Sequence, residues 1–219
     1  MRTKYPRTYH LPWSPGRSDD DKVHTAKAVE RMFAGRQVVI TEKLDGENCT
    51  IYSDSYTHAR SLDSKSHESR DAVRALAAQV GTHIPTGWRV CGENLYARHA
   101  LHYDSLPSFF LVFGIYDDQN RCLSWEETEA YAEMLGLHTV PVIYRGIWDE
   151  AAIKNWSGRS EYGTEGEGYV VRVADGFAFE DFGKSVAKYV RKGHVQPNSV
   201  HWFQQTVVPN RLKLPDSNP

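Results

Sequence analysis

The chain has 219 residues, enough for one large domain or two small ones, and its 40% apolar and 12% aromatic content can bury a substantial core, which excludes wholesale disorder. Its formal charge of −2 excludes a polycation, so a polyanionic partner would have to be gripped by a local basic surface. The three cysteines, Cys49, Cys91 and Cys122, lie too far apart for a disulfide framework or a zinc spacing. The charges of Met1–Pro6 are followed by no apolar run, and no stretch approaches the ~20 apolar residues of a membrane span. The expectation is a cytoplasmic protein with no membrane association.

In chain order, residues 1–24 are rich in Pro, Arg, Tyr and Asp without a period and read as an irregular arm. A short helix is predicted from Thr25 to Phe33, stopping at Gly35. Strands follow over Gln37–Thr41 and Asn48–Tyr52, and the intervening Asp45-Gly46 is turn chemistry that predicts a hairpin, because glycine tolerates positive φ. Glu68–Val80 has helical composition, while Trp88–Cys91 and Phe109–Tyr116 read as strands. Ser124-Trp125-Glu126-Glu127 is a capping box opening a helix that ends near Gly136. Val140–Tyr144, Gly168–Val173 and Val186–Val190 are the last strand candidates. Strands dominate without strict βαβ alternation, so the class is α+β with mainly antiparallel sheets. From Thr206 the proline-bearing tail is expected to end the ordered domain, giving a domain over 1–205 and a tail over 206–219.

The segment Glu42-Lys43-Leu44-Asp45-Gly46-Glu47-Asn48 ends an apolar strand, and alone it is weak, since a plain hairpin with a solvated lysine reads the same way. Other segments follow it in order: Ala59-Arg60-Ser61, Cys91-Gly92-Glu93-Asn94-Leu95-Tyr96, Phe109 to Asp117 with Phe113 at its centre, Glu167-Gly168-Tyr169-Val170-Val171-Arg172, and Val186-Ala187-Lys188-Tyr189-Val190-Arg191. Together they resemble motif I, the arginine after it, and motifs III, IIIa, IV and V of the covalent nucleotidyltransferase superfamily, most of all its RNA-ligase branch. The resemblance implies an α+β nucleotidyltransferase domain, like the ATP-grasp-like adenylation domain of ligases, with antiparallel sheets flanked by helices. Motif V departs from the usual Lys-x-Lys, so Lys184 and Lys188 both stand as the phosphate-binding lysine.

The resemblance implies three steps: Lys43 attacks the α-phosphorus of ATP, AMP passes to a 5′-phosphate, and a 3′-hydroxyl displaces AMP. A neutral amine is required, and bringing a lysine from a pKa near 10.4 to about 7.4 represents about 4 kcal/mol. Lys188 or Lys184, a bound metal and burial are expected to supply it, with Asp45 turned toward the nucleotide or a metal rather than toward free Lys43. Mg²⁺, or Mn²⁺ in its place, needs few carboxylates, and Glu167 and Glu93 are its candidates, with Glu93 alternatively on ribose. Glu165 competes with Glu167, and spacing to Gly168 favours the latter. The resemblance further implies that Phe113 stacks on adenine and that Glu42, Asp45, Gly46, Asn48 and Arg60 bind the nucleotide.

The cations of Gly183–His194, extended by Arg2, Lys4, Arg7 and Arg17 of the arm, are read as a phosphate-tracking groove. His99 and His102 have no further ligand nearby and are not read as a metal site, whereas His194 and His201 are candidate RNA contacts. The 28 residues after Arg191 cannot make an OB-fold barrel, and 42 residues precede Lys43. These lengths favour a minimal RNA ligase over a DNA ligase, a capping-type guanylyltransferase or an NAD-dependent ligase. A non-catalytic nucleotide- or RNA-binding module is the rival from another class. The expected partner is RNA, as a nicked duplex or an RNA–DNA hybrid, with an end-healing kinase or phosphatase alongside.

Overall fold

The computed structural model describes residues 2–193 and 206–214. Its elements are β1 (Tyr9–His10), α1 (Ala26–Phe33), β2 (Gln37–Lys43), β3 (Glu47–Tyr52), β4 (Thr57–Ala59), α2 (Asp71–Val80), β5 (Arg89–Asn94), β6 (Phe110–Tyr116), β7 (Arg121–Cys122), α3 (Trp125–Met134), β8 (His138–Thr139), β9 (Val142–Ile147), α4 (Glu150–Lys154), β10 (Gly168–Val173), β11 (Phe177–Ala178), α5 (Phe182–Ser185) and β12 (Val186–Val190). The first helix starts where Thr25 caps the Ala28 N–H at 3.1 Å. Helix α3 starts on a reciprocal capping box between Ser124 and Glu127.

The strands form two sheets, ordered β1-β12-β10-β2-β9 and β11-β7-β6-β5-β3-β4, with β8 beside β6. Pairing is antiparallel except for β1 on β12 and β8 on β6, so the α+β class with antiparallel sheets holds. The period-2 alternation of strands explains the layering. On β6, Phe110 and Val112 pack with α2 and α3 on the outer face of the larger sheet, while Leu111 and Phe113 face the smaller sheet. On the smaller sheet, Val38, Ile40 and Val171 pack against residues of α1.

The expected hairpin at Asp45-Gly46 is not formed. β2 pairs with β9 and β10, whereas β3 pairs with β4 and β5, so residues 43–47 carry the chain from one sheet to the other. Leu44, 2% exposed, anchors the crossing in a core with Leu95, Tyr103 and Trp125. Gly46 is needed for space rather than for φ: a Cβ there would lie 2.5 Å from the Asn94 carbonyl oxygen.

Both ends of the chain differ from the sequence reading. The arm is tied into the smaller sheet through β1, and the Leu11 N–H donates to the Lys188 carbonyl at 2.7 Å. The tail does not leave the fold at Thr206. Pro209 and Leu212 make β-bridges to Ala97 and Leu106, and buried Asn210 accepts from the Tyr103 N–H at 3.0 Å and donates to the Leu95 carbonyl at 2.8 Å. No helix among the described residues is long and apolar enough to cross a membrane.

Candidate active site

A cavity of about 310 Å³ opens between the two sheets, roofed by Tyr5, Pro6, Arg7 and Thr8 of the arm. Register explains its smaller-sheet wall. Lys43 pairs with Gly168, Thr41 with Val170, and Val170 in turn with Lys188, so that Thr41, Lys43, Val170 and Lys188 share one face. The opposite wall is set the same way, because Asn48 pairs with Glu93 and Glu93 with Leu111, two residues before Phe113. Lys43, Gly46, Asn48, Arg60, Glu93, Phe113 and Lys188 all border this cavity.

Lys43 Nζ donates to Glu167 Oε2 at 2.5 Å, and the Glu167 side chain is 7% exposed. Burial alone would push the amine down, but Glu167, Glu93 and Asp45 outweigh it, so its pKa is raised above the ordinary value. The expected depression is therefore absent in the nucleotide-free state, because carboxylates lie nearer than cations do. Burial, partly countered by Lys43, pushes Glu93 up to about 8. Glu165 is instead exposed and paired with Arg191 at 2.6 Å, which leaves Glu167 as the carboxylate at the lysine.

Five predicted residues stand differently from their assigned places. Lys184 lies in α5, 79% exposed, and pairs with Asp181 at 2.8 Å, so Lys188 is the lysine at the cavity. Asp45 points neither at the cavity nor at Lys43: its carboxylate accepts from the Ala100 and Leu101 N–H groups, each at 2.8 Å, and thereby fixes the loop after β5. Glu42 borders the cavity, yet strand alternation turns its side chain to the other face, where it accepts from the Glu161 N–H at 2.9 Å. Of the arm's cations, Arg2 stacks on Tyr52 and Tyr56 and Arg17 donates to the Pro12 carbonyl, leaving Arg7 among those three at the cavity.

His102 pairs with Asp104 at 3.3 Å, and His99 Nδ1 lies 4.0 Å from Asp45. His194 and His201 lie outside the described residues.

Several features suit a nucleotide with a divalent cation. Asn48 Oδ1 is buried without a hydrogen-bond partner and borders the cavity, as an acceptor waiting for a ligand donor would. Phe113 and Val170 offer apolar surface from opposite sheets. Among the described residues no cluster of three or more His, Cys, Asp or Glu could hold a metal by protein ligands alone. The excess of buried carboxylate around Lys43 nevertheless fits a Mg²⁺ that arrives with phosphate and keeps waters, needing one or two carboxylates. Sequence reasoning missed Tyr5, Thr8 and Asp21, because an aperiodic arm gives no signal of what it will cover.

The profile of the family described as RNA ligase matches residues 36–190, most of the chain. The chain belongs to the RNA ligase family. Comparison with curated protein sequences gave no match. Among solved structures it is similar to the Naegleria gruberi RNA ligase with PPi, at 18% identity and TM-score 0.60, covering 89% of this chain and 61% of that one. A variant of the same ligase with ATP and Mn aligns at 18% identity and TM-score 0.56, covering 77% of this chain and 53% of that one. Another, with AMP and Mn, aligns at 17% and 0.56 over 89% and 63%. At these identities the likeness establishes the shared fold, and the chain spans less than two thirds of the length of these relatives.

Proposed function

We propose that the chain is an ATP-dependent RNA ligase that carries AMP on Lys43 and joins 3′-hydroxyl to 5′-phosphate RNA ends. The observation that carries this reading is the placement of a half-buried lysine at a strand end, in a cavity that also gathers Arg60, Lys188, Glu93, Asn48 and Phe113. Family membership supports the reading, as do the ATP, AMP and PPi complexes of the Naegleria enzyme.

The chemistry follows from the geometry. Adenine lies against Phe113, with Val170 of the other sheet across from it, and Asn48 Oδ1 accepts from a nucleotide hydroxyl or amine. Glu167, 2.5 Å from the amine, receives the proton that Lys43 must lose before attack. Glu167 and Glu93 would hold Mg²⁺ or Mn²⁺, and such an ion neutralises phosphate charge and competes with Lys43 for the carboxylates. Lys188 and Arg60 balance charge on the phosphates, in keeping with phosphoryl transfer by positioning and electrostatics. Asp45 acts from behind, holding the residue 99–101 loop and with it the crossing that ends at Gly46.

The test is to supply ATP, Mg²⁺ and nicked RNA, and to look for a sealed strand and an adenylylated 5′ end on the way to it. Sealing of RNA, with the intermediate trapped when the 3′-hydroxyl is missing, is the expected result. Sealing of DNA alone, or transfer of GMP from GTP, would overturn it in favour of a DNA ligase or a capping enzyme.

A further inference from the structure

We propose that Arg7, carried by the N-terminal arm, is a phosphate-binding residue of the site and that, with Arg60 and Lys188, it holds the two phosphates of ATP that leave as pyrophosphate. The proposal rests on the ATP reading above.

Arg7 lines the same cavity as Lys43, although 36 positions separate them in sequence. The arm cannot swing freely there, because the His10 N–H donates to the Lys22 carbonyl at 2.8 Å and the Leu11 N–H to the Lys188 carbonyl at 2.7 Å. Arg7 and Lys188 are thus tied to one strand pair. All hydrogen bonds of Arg7 leave from Nη2, reaching the Asp20 carbonyl at 3.0 Å and the Asp20 and Asp21 carboxylates at 3.3 and 3.1 Å. Its Nε and Nη1 hold none among the described residues. Asp21 is itself fixed by the Ser18 N–H and hydroxyl, at 3.0 and 2.9 Å. One edge of the guanidinium is therefore anchored while the other keeps its donors for two oxygens of a phosphate.

The neighbouring cations want the same ligand. Neither the Arg60 nor the Lys188 side chain makes a hydrogen bond or ion pair within 4.0 Å among the described residues. Burial and Lys43 lower the Lys188 pKa, and burial and Arg7 lower that of Arg60, so each gains from an anion placed among them. In the step itself a bond forms between Lys43 Nζ and the α-phosphorus, and the bond to the bridging oxygen breaks. Pyrophosphate leaves with the electron pair, and the amine proton passes to Glu167. The charge that grows on the leaving group is what Arg7 meets.

An RNA 5′-phosphate would satisfy the same chemistry, and three assays on the full chain distinguish the two sources. Wild type, Arg7→Ala and Arg7→Lys are compared in adduct formation against ATP concentration, in loss of the adduct driven by inorganic pyrophosphate, and in sealing of an RNA already adenylylated at its 5′ end. The expected result for Arg7→Ala is a loss of about 10- to 100-fold in the first two, with the third unchanged. Arg7→Lys, which keeps the charge and the stem, should recover part of the loss and serves for the same comparison if the alanine variant does not fold. Equal loss in all three assays, loss confined to sealing, or no loss overturns the proposal. A wild-type chain that forms no adduct would instead sink the ATP reading itself, which the Arg7 comparison does not touch.

Discussion

Lys43 carries its proton in the nucleotide-free protein, because Glu167, Glu93 and Asp45 outweigh the burial that would remove it. The raised pKa fixes a sign: adduct formation should speed up as pH rises, and a divalent cation that engages the carboxylates should move the profile to lower pH. Single-turnover rates against pH at two Mg²⁺ concentrations check this, and a flat profile would contradict it. Glu93 gives a second sign. Its pKa in the fold, about 8, exceeds its ordinary 4.5, so folding takes up a proton and its contribution to stability is lost as pH climbs between those values. In chelator, Glu93→Gln should raise the Tm above pH 7, with the gain fading toward pH 5. At Phe113, truncation to alanine should raise the ATP requirement about tenfold while leaving the adduct attainable, as expected from a lost stacking face. Most of these residues were legible in the sequence as segments in a fixed order. What the sequence hid was direction: Asp45 and Glu42 flank the lysine yet send their carboxylates to backbone N–H groups elsewhere, which short-range spacing does not encode.

Between elements, the decisive feature is the passage from β2 to β3. Asp45-Gly46 is ordinary hairpin chemistry, and the local rule failed because each flanking strand found partners distant in sequence, β10 for one and β5 for the other. Such pairings are set by burial of whole faces, with Leu44 and Leu95 in one core, rather than by turn preference. Strands over 37–41, 48–52, 109–116, 168–173 and 186–190 were readable from apolar content, whereas the two-residue strands β1, β7, β8 and β11 were too short to show a period. The tightest approach lies beside the site. A Cβ at Gly168 would sit 1.9 Å from the Tyr189 carbonyl oxygen, so Gly168→Ala must push β10 off β12 and shift both Glu167 and Lys188. The expected cost is about 1–3 kcal/mol or more of stability, read by denaturant unfolding, together with slowed adduct formation. Unchanged stability would mean that the two strands are more loosely joined than their register implies.

At the scale of the whole molecule, the N-terminal arm and residues 206–214 both pack on the catalytic core. The arm roofs the cavity, and residues 206–214 clamp the 95–106 segment, whose residues 99–101 bind Asp45. Neither end advertised this, since a proline-bearing polar stretch looks alike whether solvated or docked. Asn210 is the clamp's center, 3% exposed and bonded to Tyr103 and Leu95. Asn210→Ala should cost about 2 kcal/mol by stranding a buried N–H and a buried carbonyl, and should slow adduct formation because the loop behind Lys43 loosens. Unfolding and adduct rates measured on the same variant test both parts.

The most direct test of the account is the intact mass of the purified chain after incubation with ATP and Mg²⁺, with peptide mapping of any adduct. The account predicts a gain of one adenylyl group, located on Lys43 and absent from Lys43→Ala. An adduct on another residue, an adduct with GTP in place of ATP, or none from a chain shown not to be adenylylated beforehand would contradict it.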